Sequence, residues 1–125
     1  MGYQNRVYQF VVEGPLPIKG RVRGRGGVYY TPKATVEGEE RVRQAFRDHY
    51  PHDPRSVHRF SVEIKVYTDR TDFDGDNVEK AVLDALSKVL WENDRQVKQM
   101  FWVILPALSP DYGGECIQIK ALEVA

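Results

Sequence analysis

The feature that most constrains the fold is a helical apolar pattern that directly follows a cluster of acids. Three of the five residues from Asp72 to Asp76 are aspartates. From Val78 to Val89, apolar residues recur at three- and four-residue spacing, which is typical of a helix that buries one face. Such a helix needs a packed layer against that face. We therefore expect the fold to be organised around residues 72–97.

Apolar patterns on both sides of this helix predict a sheet. Arg59–Thr68 alternates apolar and polar residues, whereas Val97–Leu105 is apolar on both faces, which predicts a central strand or one at a subunit interface. Together these patterns predict one α+β (α/β) domain over residues 1–125, with a mixed sheet and two main helices. The predicted strands are Arg6–Glu13, Val28–Tyr30, Arg59–Thr68, Val97–Leu105 and Glu115–Val124, and the helices are Thr35–Tyr50, capped by Thr35, and Val78–Val89.

Composition places the chain in the ordinary globular class. Hydrophobic residues make up 42% and charged residues 29%, and the formal net charge is +0, which argues against a protein that coats nucleic acid by charge alone. No apolar run is long enough to predict membrane insertion, and no leader pattern predicts secretion. Cys116 is the only cysteine, so an internal disulfide is excluded. A reduced cytoplasmic setting is the simplest expectation.

The acids at the start of the helix are candidate metal ligands. Asp74 and Asp76 are two residues apart, so in an extended backbone both carboxylates point to the same side and repel each other unless a cation lies between them. Hard cations such as Mg²⁺ prefer a few carboxylates and retained waters. Asp94 would supply a third carboxylate if the helix folds back and returns it to the pair.

The same spacing fits a purely structural interpretation. Asp76 and Glu79, three residues apart, match a capping box, in which Asp76 only caps the helix. Asp84 would then pair with Lys80 or Lys88 on the helix surface. Spacing alone leaves the metal site and the cap equally open.

A basic segment without acids lies before the first helix. From Pro15 to Thr35 no aspartate or glutamate occurs, and prolines and glycines interrupt regular structure. Such a segment suits contact with phosphates beside an acidic centre, although a solvated loop is the alternative. The candidate DNA-binding residues of this basic arm are Lys19, Arg21, Arg23, Arg25 and Lys33.

Two ordered motifs resemble the RusA family of Holliday-junction resolvases. The first reads Asp74-x-Asp76-Asn77-x-x-Lys80-x-x-x-Asp84-Ala85-Leu86, and the second reads Leu90-Trp91-x-x-Asp94-x-Gln96-Val97. Pro15-Leu16-Pro17 with Lys19 and Arg21, and then Tyr30-Thr31-Pro32-Lys33, extend the resemblance towards the amino end. From about Pro106 onward no motif matches.

The resemblance implies a metal-dependent endodeoxyribonuclease that resolves four-way branched DNA by paired phosphodiester hydrolysis in recombination and repair. It implies Mg²⁺, with Mn²⁺ as a substitute, bound by Asp74, Asp76 and Asp94, and a catalytic set completed by Lys80. Lys80 would position the scissile phosphate or neutralise its developing charge. The expected protein is a bacterial or phage-encoded homodimer with no membrane partner.

One position departs from the family pattern and keeps two alternatives open. Family members often have two adjacent aspartates in the second acidic turn, and the first of these is Asn93 here. The chain could therefore be a junction-binding protein with weak or no cleavage, or a structural protein stabilised by metal.

For the dimer, the candidate surfaces are the Val97–Leu105 strand and the apolar side of the Val78–Val89 helix.

Overall fold

The computed structural model describes residues 5–20, 23–25, 28–30, 32–71, 73–105 and 114–124, with 23–25 and 28–30 described by their backbone. Two helices and six strands occur within these residues. They are β1 Val7–Glu13, β2 Arg23–Arg25, β3 Val28–Tyr30, α1 Lys33–His49, β4 Arg59–Tyr67, α2 Gly75–Leu86, β5 Val97–Leu105 and β6 Cys116–Val124. A short 3₁₀ turn, Asp94–Gln96, leads into β5.

Four of the strands form one mixed sheet in the order β1-β6-β4-β5. The β1–β6 and β6–β4 pairs are antiparallel, whereas β4 and β5 are parallel. β2 and β3 form a separate antiparallel hairpin, so β2 adds a strand within a segment in which we predicted no regular structure. The α+β fold, with a mixed sheet and two helices, is confirmed.

The parallel pair decides where the two acidic segments lie. Parallel neighbours need a crossover connection, and α2 provides it. Phe60 pairs with Val97 at one end of the pair, and Tyr67 pairs with Leu105 at the other. The chain therefore leaves β4 at one end of the sheet, returns along α2, and enters β5 at the opposite end.

The core lies between the sheet and the two helices. On β4 every second side chain is fully buried, and so is the apolar stripe of α2, at 0% exposure for Val78, Val82 and Leu86. Each such side chain contributes roughly 1.5–3 kcal/mol when it leaves water. The apolar face of α2 is thus committed to its own sheet, and the prediction that it forms a dimer surface is wrong.

Both helices have different ends from those predicted. α2 ends at Leu86 because Lys88 has a φ of 64°, which no α-helix continues through. α1 begins at Lys33, so Thr35 lies inside its first turn and is not the cap. The Thr35 hydroxyl instead accepts a hydrogen bond from the Gly20 amide at 2.9 Å and donates one to the Ile18 carbonyl at 3.4 Å. Thr35 therefore fastens the preceding loop to α1.

β5 is an edge strand of the four-stranded sheet, so the expectation of a central strand is wrong. Phe101 is 57% exposed, Val103 44% and Trp102 37%. An edge strand that exposes large apolar side chains is a ready template for pairing with another chain. The alternative that we gave for this strand, a subunit interface, stays a prediction.

Cys116 is buried and makes no disulfide. Within the residues described above, no helix is long and apolar enough to span a membrane.

Candidate functional site

The start of α2 carries the first pair of candidate acids. Asp74 occupies the N-cap position in an extended conformation (φ −97°, ψ 128°), and its side chain makes no capping hydrogen bond. Asp76 lies in the first helical turn, so the capping box that we predicted for Asp76 and Glu79 is wrong. The argument from an extended backbone also fails for this pair, because Asp76 is helical. A carboxylate in the first turn is still favoured by the helix dipole.

Asp74, Asp76 and Lys80 are exposed and have no partners among the described residues. None of the three side chains forms a hydrogen bond or an ion pair there. This contrasts with Glu39, Asp84 and Glu92, each of which binds a lysine or arginine. Two carboxylates and one ammonium at the start of α2 are therefore available to an external ligand.

Asp84 pairs with neither of the helix lysines predicted for it. Its carboxylate binds the Lys19 ammonium at 2.8 Å, and Lys19 also binds Glu39 at 3.1 Å. Lys88 pairs with Glu92 at 3.2 Å. The structural interpretation that we gave for Lys80, a partner for Asp84, is therefore wrong.

Lys19 holds the loop before α1 against both helices. Its hydrogen bond to Asp84, helped by a second one to Glu39, raises the pKa of Lys19 above its usual 10.5. The Lys19 backbone amide also donates to the Asn77 carbonyl of α2 at 2.9 Å. Because two carboxylates share one ammonium, this cluster carries no surplus positive charge. The structure gives Lys19 a clamping contact in addition to its place in the basic arm.

A groove of about 670 Å³ opens beside the first acidic segment. Its lining includes Asp74 and three cationic side chains, of which Lys19 is already paired with Asp84 and Glu39. The full lining is Ile18, Lys19, Gly20, Arg70, Phe73, Asp74, Asn77 and Lys80. The Arg70 guanidinium lies over the Phe73 ring at 5.5 Å from the centroid. Cationic side chains around one exposed carboxylate suit a phosphate whose charge is shared with a metal cation.

Sequence reasoning missed Arg70. Its position in the sequence could have identified it, because Arg70 lies between the end of β4 and the acids. A side chain that directly follows a buried strand lies at the end of the sheet, close to whatever site is formed there. We treated this segment only as an interruption between the strand and the acids.

The second acidic segment is the 3₁₀ turn that begins at Asp94. Trp91 is fully buried and packs against Phe60, with ring centroids 5.3 Å apart. Its indole Nε1 donates to Asp94 Oδ1 at 3.1 Å. Trp91 therefore anchors this turn to the core, and its indole N–H adds a polar contact that fixes one carboxylate oxygen.

Asn93 and Gln96 hold the backbone of the same turn. Asn93 Oδ1 accepts from the Arg95 amide at 2.9 Å and caps the turn. Gln96 Oε1 accepts from the Glu92 and Asn93 amides, and its Nε2 donates to the Ser56 and His58 carbonyls at 2.8 and 2.9 Å. Gln96 belonged to the second motif, but sequence reasoning gave it no role. Because Asn and Asp are about equally good caps, the departure at position 93 keeps the turn intact.

The two acidic segments lie at opposite ends of α2. The helix has 12 residues, and at about 1.5 Å per residue it is about 18 Å long. Asp74 is at its start, whereas Asp94 lies beyond its end, beside the Trp91 that packs on Phe60. Across the described ranges, no three His, Cys, Asp or Glu side chains are grouped as metal ligands. Within one chain, α2 therefore separates Asp94 from the other two acids.

The basic arm is described only in part. Arg21 lies outside the described residues, and Arg23 and Arg25 belong to β2, of which only the backbone is described. Lys33 begins α1, and its side chain is 89% exposed, 3.7 Å from Glu37. Lys33 is thus accessible to a ligand, since exposed pairs of this kind are weak.

Comparisons with known proteins point to one family. No curated protein matches the chain. A solved structure of 2C-methyl-D-erythritol-2,4-cyclodiphosphate synthase is 18% identical with a TM-score of 0.29, and the match covers 70% of this chain and 51% of that one. The chain thus spans about half the length of that protein. The model of the family described as endodeoxyribonuclease RusA matches residues 15–115, from the loop before α1 to the start of β6. Since this match includes both acidic segments and the groove, the chain belongs to the RusA family of endodeoxyribonucleases.

Proposed function

We propose that this protein is a Mg²⁺-dependent endodeoxyribonuclease that resolves four-way DNA junctions by hydrolysing one phosphodiester in each of two strands. Its family membership supports the reaction class. The observation that carries the proposal is the start of α2, where Asp74, Asp76 and Lys80 are exposed beside the groove and have no partner among the described residues. Asp84 of the same helix is instead paired with Lys19.

The donors at this site fit a hard cation. Asp74 and Asp76 offer carboxylate oxygens with no competing partner among the described residues, and Asp94 has one oxygen held by Trp91 and the other open. Oxygen donors of this kind suit Mg²⁺, with Mn²⁺ as a substitute. When bound, such a cation supplies a more acidic water and compensates phosphate charge. Lys80 and Arg70 would hold the scissile phosphate in the groove by charge-assisted hydrogen bonds.

We propose further that each cation site is shared between two subunits. Ligands of one Mg²⁺ lie about 2.0–2.1 Å from the ion, so the length of α2 prevents Asp74 and Asp94 of one chain from sharing it. Asp74 and Asp76 of one subunit would act with the partner subunit's Asp94. This arrangement makes the dimer a requirement for cation binding and not only a match to the symmetry of the junction.

The edge of β5 is the surface best suited to such a dimer. Phe101 and Val103 expose apolar side chains, and β5 has a sheet partner on only one side. A twofold axis across an edge strand pairs it antiparallel with its copy. The start of one β5, which follows Asp94, then faces the end of the other, and Trp102 near that end contacts the start of α2. This pairing brings the partner subunit's Asp94 towards Asp74 and Asp76.

The basic arm would contact the sugar-phosphate backbone around the cut. We propose Arg21, Arg23, Arg25 and Lys33 as the phosphate contacts, while Lys19 lines the groove and holds the arm to both helices. Such contacts increase affinity for DNA without reading its sequence. The alternative is a junction-binding protein with weak or no cleavage, because Asn93 caps the turn but adds no carboxylate to the cation site.

A labelled four-way junction, incubated with and without Mg²⁺, tests the proposed function. We expect paired cleavage by the parent only with the cation, and loss of cleavage in Asp76→Asn with unchanged or tighter metal-free binding. The matched control is Asp69→Asn, an exposed aspartate at the end of β4 that should cut at the parental rate. A parent that does not cut with Mg²⁺ or Mn²⁺, or an Asp76→Asn variant that cuts normally, would refute the proposal.

A further inference from the structure

Gly75, the residue between Asp74 and Asp76, lies directly against the indole ring of Trp102. A methyl group built on Gly75 would lie 2.5 Å from Cη2 and 2.6 Å from Cε3 of Trp102, and it would also overlap Cζ3. Real Cβ atoms do not approach other heavy atoms so closely. The backbone that joins the two aspartates therefore rests on a rigid ring with no space for any side chain at position 75.

The position of Trp102 explains why this contact matters for the aspartates. Trp102 pairs in register with Ile64 of β4, whose side chain is fully buried, so the ring lies on the helix side of the sheet. Gly75 is the first residue of α2, and its neighbours on either side are the two exposed acids. The ring is therefore in contact with the short backbone segment that carries both carboxylates.

We infer that Trp102 is a positioning residue for the cation ligands, acting through its contact with Gly75. The inference rests on the proposed function, in which Asp74 and Asp76 hold the cation. An added Cβ fits only if the helix start or the ring shifts by an amount comparable to an ångström, whereas ligands must be held within about 0.5 Å of a productive geometry. A displacement of that size costs up to about 100-fold in activity.

The test is a double-mutant cycle between Gly75→Ala and Trp102→Leu. In the parent background, Gly75→Ala should weaken Mn²⁺ binding at least about ten-fold and lower junction cleavage by a similar factor. In the Trp102→Leu background the ring atoms are gone, so Gly75→Ala should change Mn²⁺ affinity less than about two-fold. The effects of two independent substitutions would add, whereas we expect the effects of these two to be coupled. Metal-free junction binding should stay at the parental level in all variants.

Melting temperature separates positioning from simple packing, and Gly114→Ala provides a matched control. A methyl group on Gly114 would meet no atom within 4 Å, so this variant should behave as the parent in every assay. If Gly75→Ala lowers only the melting temperature and leaves Mn²⁺ affinity unchanged, or weakens Mn²⁺ equally in both backgrounds, the inference is wrong. A parent that binds no Mn²⁺ and cuts no junction would instead refute the proposed function.

Discussion

Among single side chains, Trp91 connects the hydrophobic core most directly with the candidate cation site. Its ring is buried against Phe60, and its N–H fixes one oxygen of Asp94. Groups that orient a metal ligand in this way typically matter about 10–100-fold for metal affinity or activity. Removing this one hydrogen bond therefore tests the orientation of Asp94 separately from the packing of Trp91 on Phe60.

Trp91→Phe should weaken cation use because it keeps an aromatic ring but removes the N–H donor. We expect the Mn²⁺ concentration for half-maximal junction cleavage to rise by about ten-fold. The control is Leu90→Val, a truncation of a neighbouring buried side chain that keeps the indole N–H, which should cost about 1 kcal/mol of stability and leave the cation requirement unchanged. Equal cation requirements in the two variants would show that the indole hydrogen bond does not orient Asp94.

Ordered motifs in the sequence identified the candidate site residues, but they did not predict the contacts around those residues. Asp74, Asp76 and Lys80 were identified from ordered motifs. Motif spacing does not reveal that the Asp84 carboxylate pairs with Lys19, which lies in a loop distant in sequence. It also does not reveal that the Thr35 hydroxyl makes a hydrogen bond with that loop instead of capping α1. Both contacts depend on how the loop packs across the two helices, and a local pattern contains no such information.

At the scale of elements, the contact of the loop before α1 with both helices depends on the charge of Lys19. The folded protein raises the pKa of Lys19 through its hydrogen bond to Asp84, so folding favours the protonated form. This stabilisation is fully present below the unfolded pKa, and it is lost as the pH rises through the higher folded pKa.

Lys19→Met should therefore lower the free energy of unfolding by about 1 kcal/mol or less at about pH 8, since the partners are partly exposed. The difference from the parent should shrink as the pH rises through the raised folded pKa of Lys19, because the parental ammonium then loses its proton. Urea unfolding of both proteins at about pH 8 and at an alkaline pH above this folded pKa measures the change. A difference that persists unchanged at the alkaline pH would mean that Lys19 stabilises by packing of its stem and not by charge.

Element positions were largely predictable, and the error about the place of β5 in the sheet has a physical cause. Alternation in Arg59–Thr68 and the two-sided apolar pattern of Val97–Leu105 identified both parallel strands. The same pattern could not distinguish a central strand from an edge strand that exposes Phe101. A central strand has apolar residues on both faces, and so does an edge strand whose exposed residues are suited to contact another chain.

At the scale of the whole molecule, the exposed edge of β5 is the proposed dimer surface. Phe101→Lys places a charge on this edge, and an edge-strand lysine opposes pairing with another chain. We expect a folded monomer by sedimentation with junction cleavage lost. Val36→Lys is the matched control, because Val36 is 49% exposed on α1, comparable to the 57% of Phe101. A Phe101→Lys variant that stays dimeric, or a parent that is active as a monomer, would contradict the proposed surface.

The arrangement of the two acidic segments could not be predicted from the sequence. We expected the helix to fold back and return Asp94 to Asp74 and Asp76, and such a return needs β5 to enter the sheet at the end where β4 leaves it. The parallel pairing of β4 and β5 places the entry at the opposite end. Strand pairing is set by contacts between distant segments, so the separation became visible only in the fold.

Subunit mixing tests the shared cation site most directly. Asp76→Asn and Asp94→Asn should each be inactive as homodimers, whereas a heterodimer of the two has one site with every parental ligand and one site with neither Asp76 nor Asp94. After subunit exchange, the mixture should therefore recover nicking of a labelled four-way junction in Mg²⁺ at about a quarter of the parental rate, as random assortment of a twofold dimer gives. A mixture as inactive as its two components would contradict the account, because each chain would then need both residues for its own site.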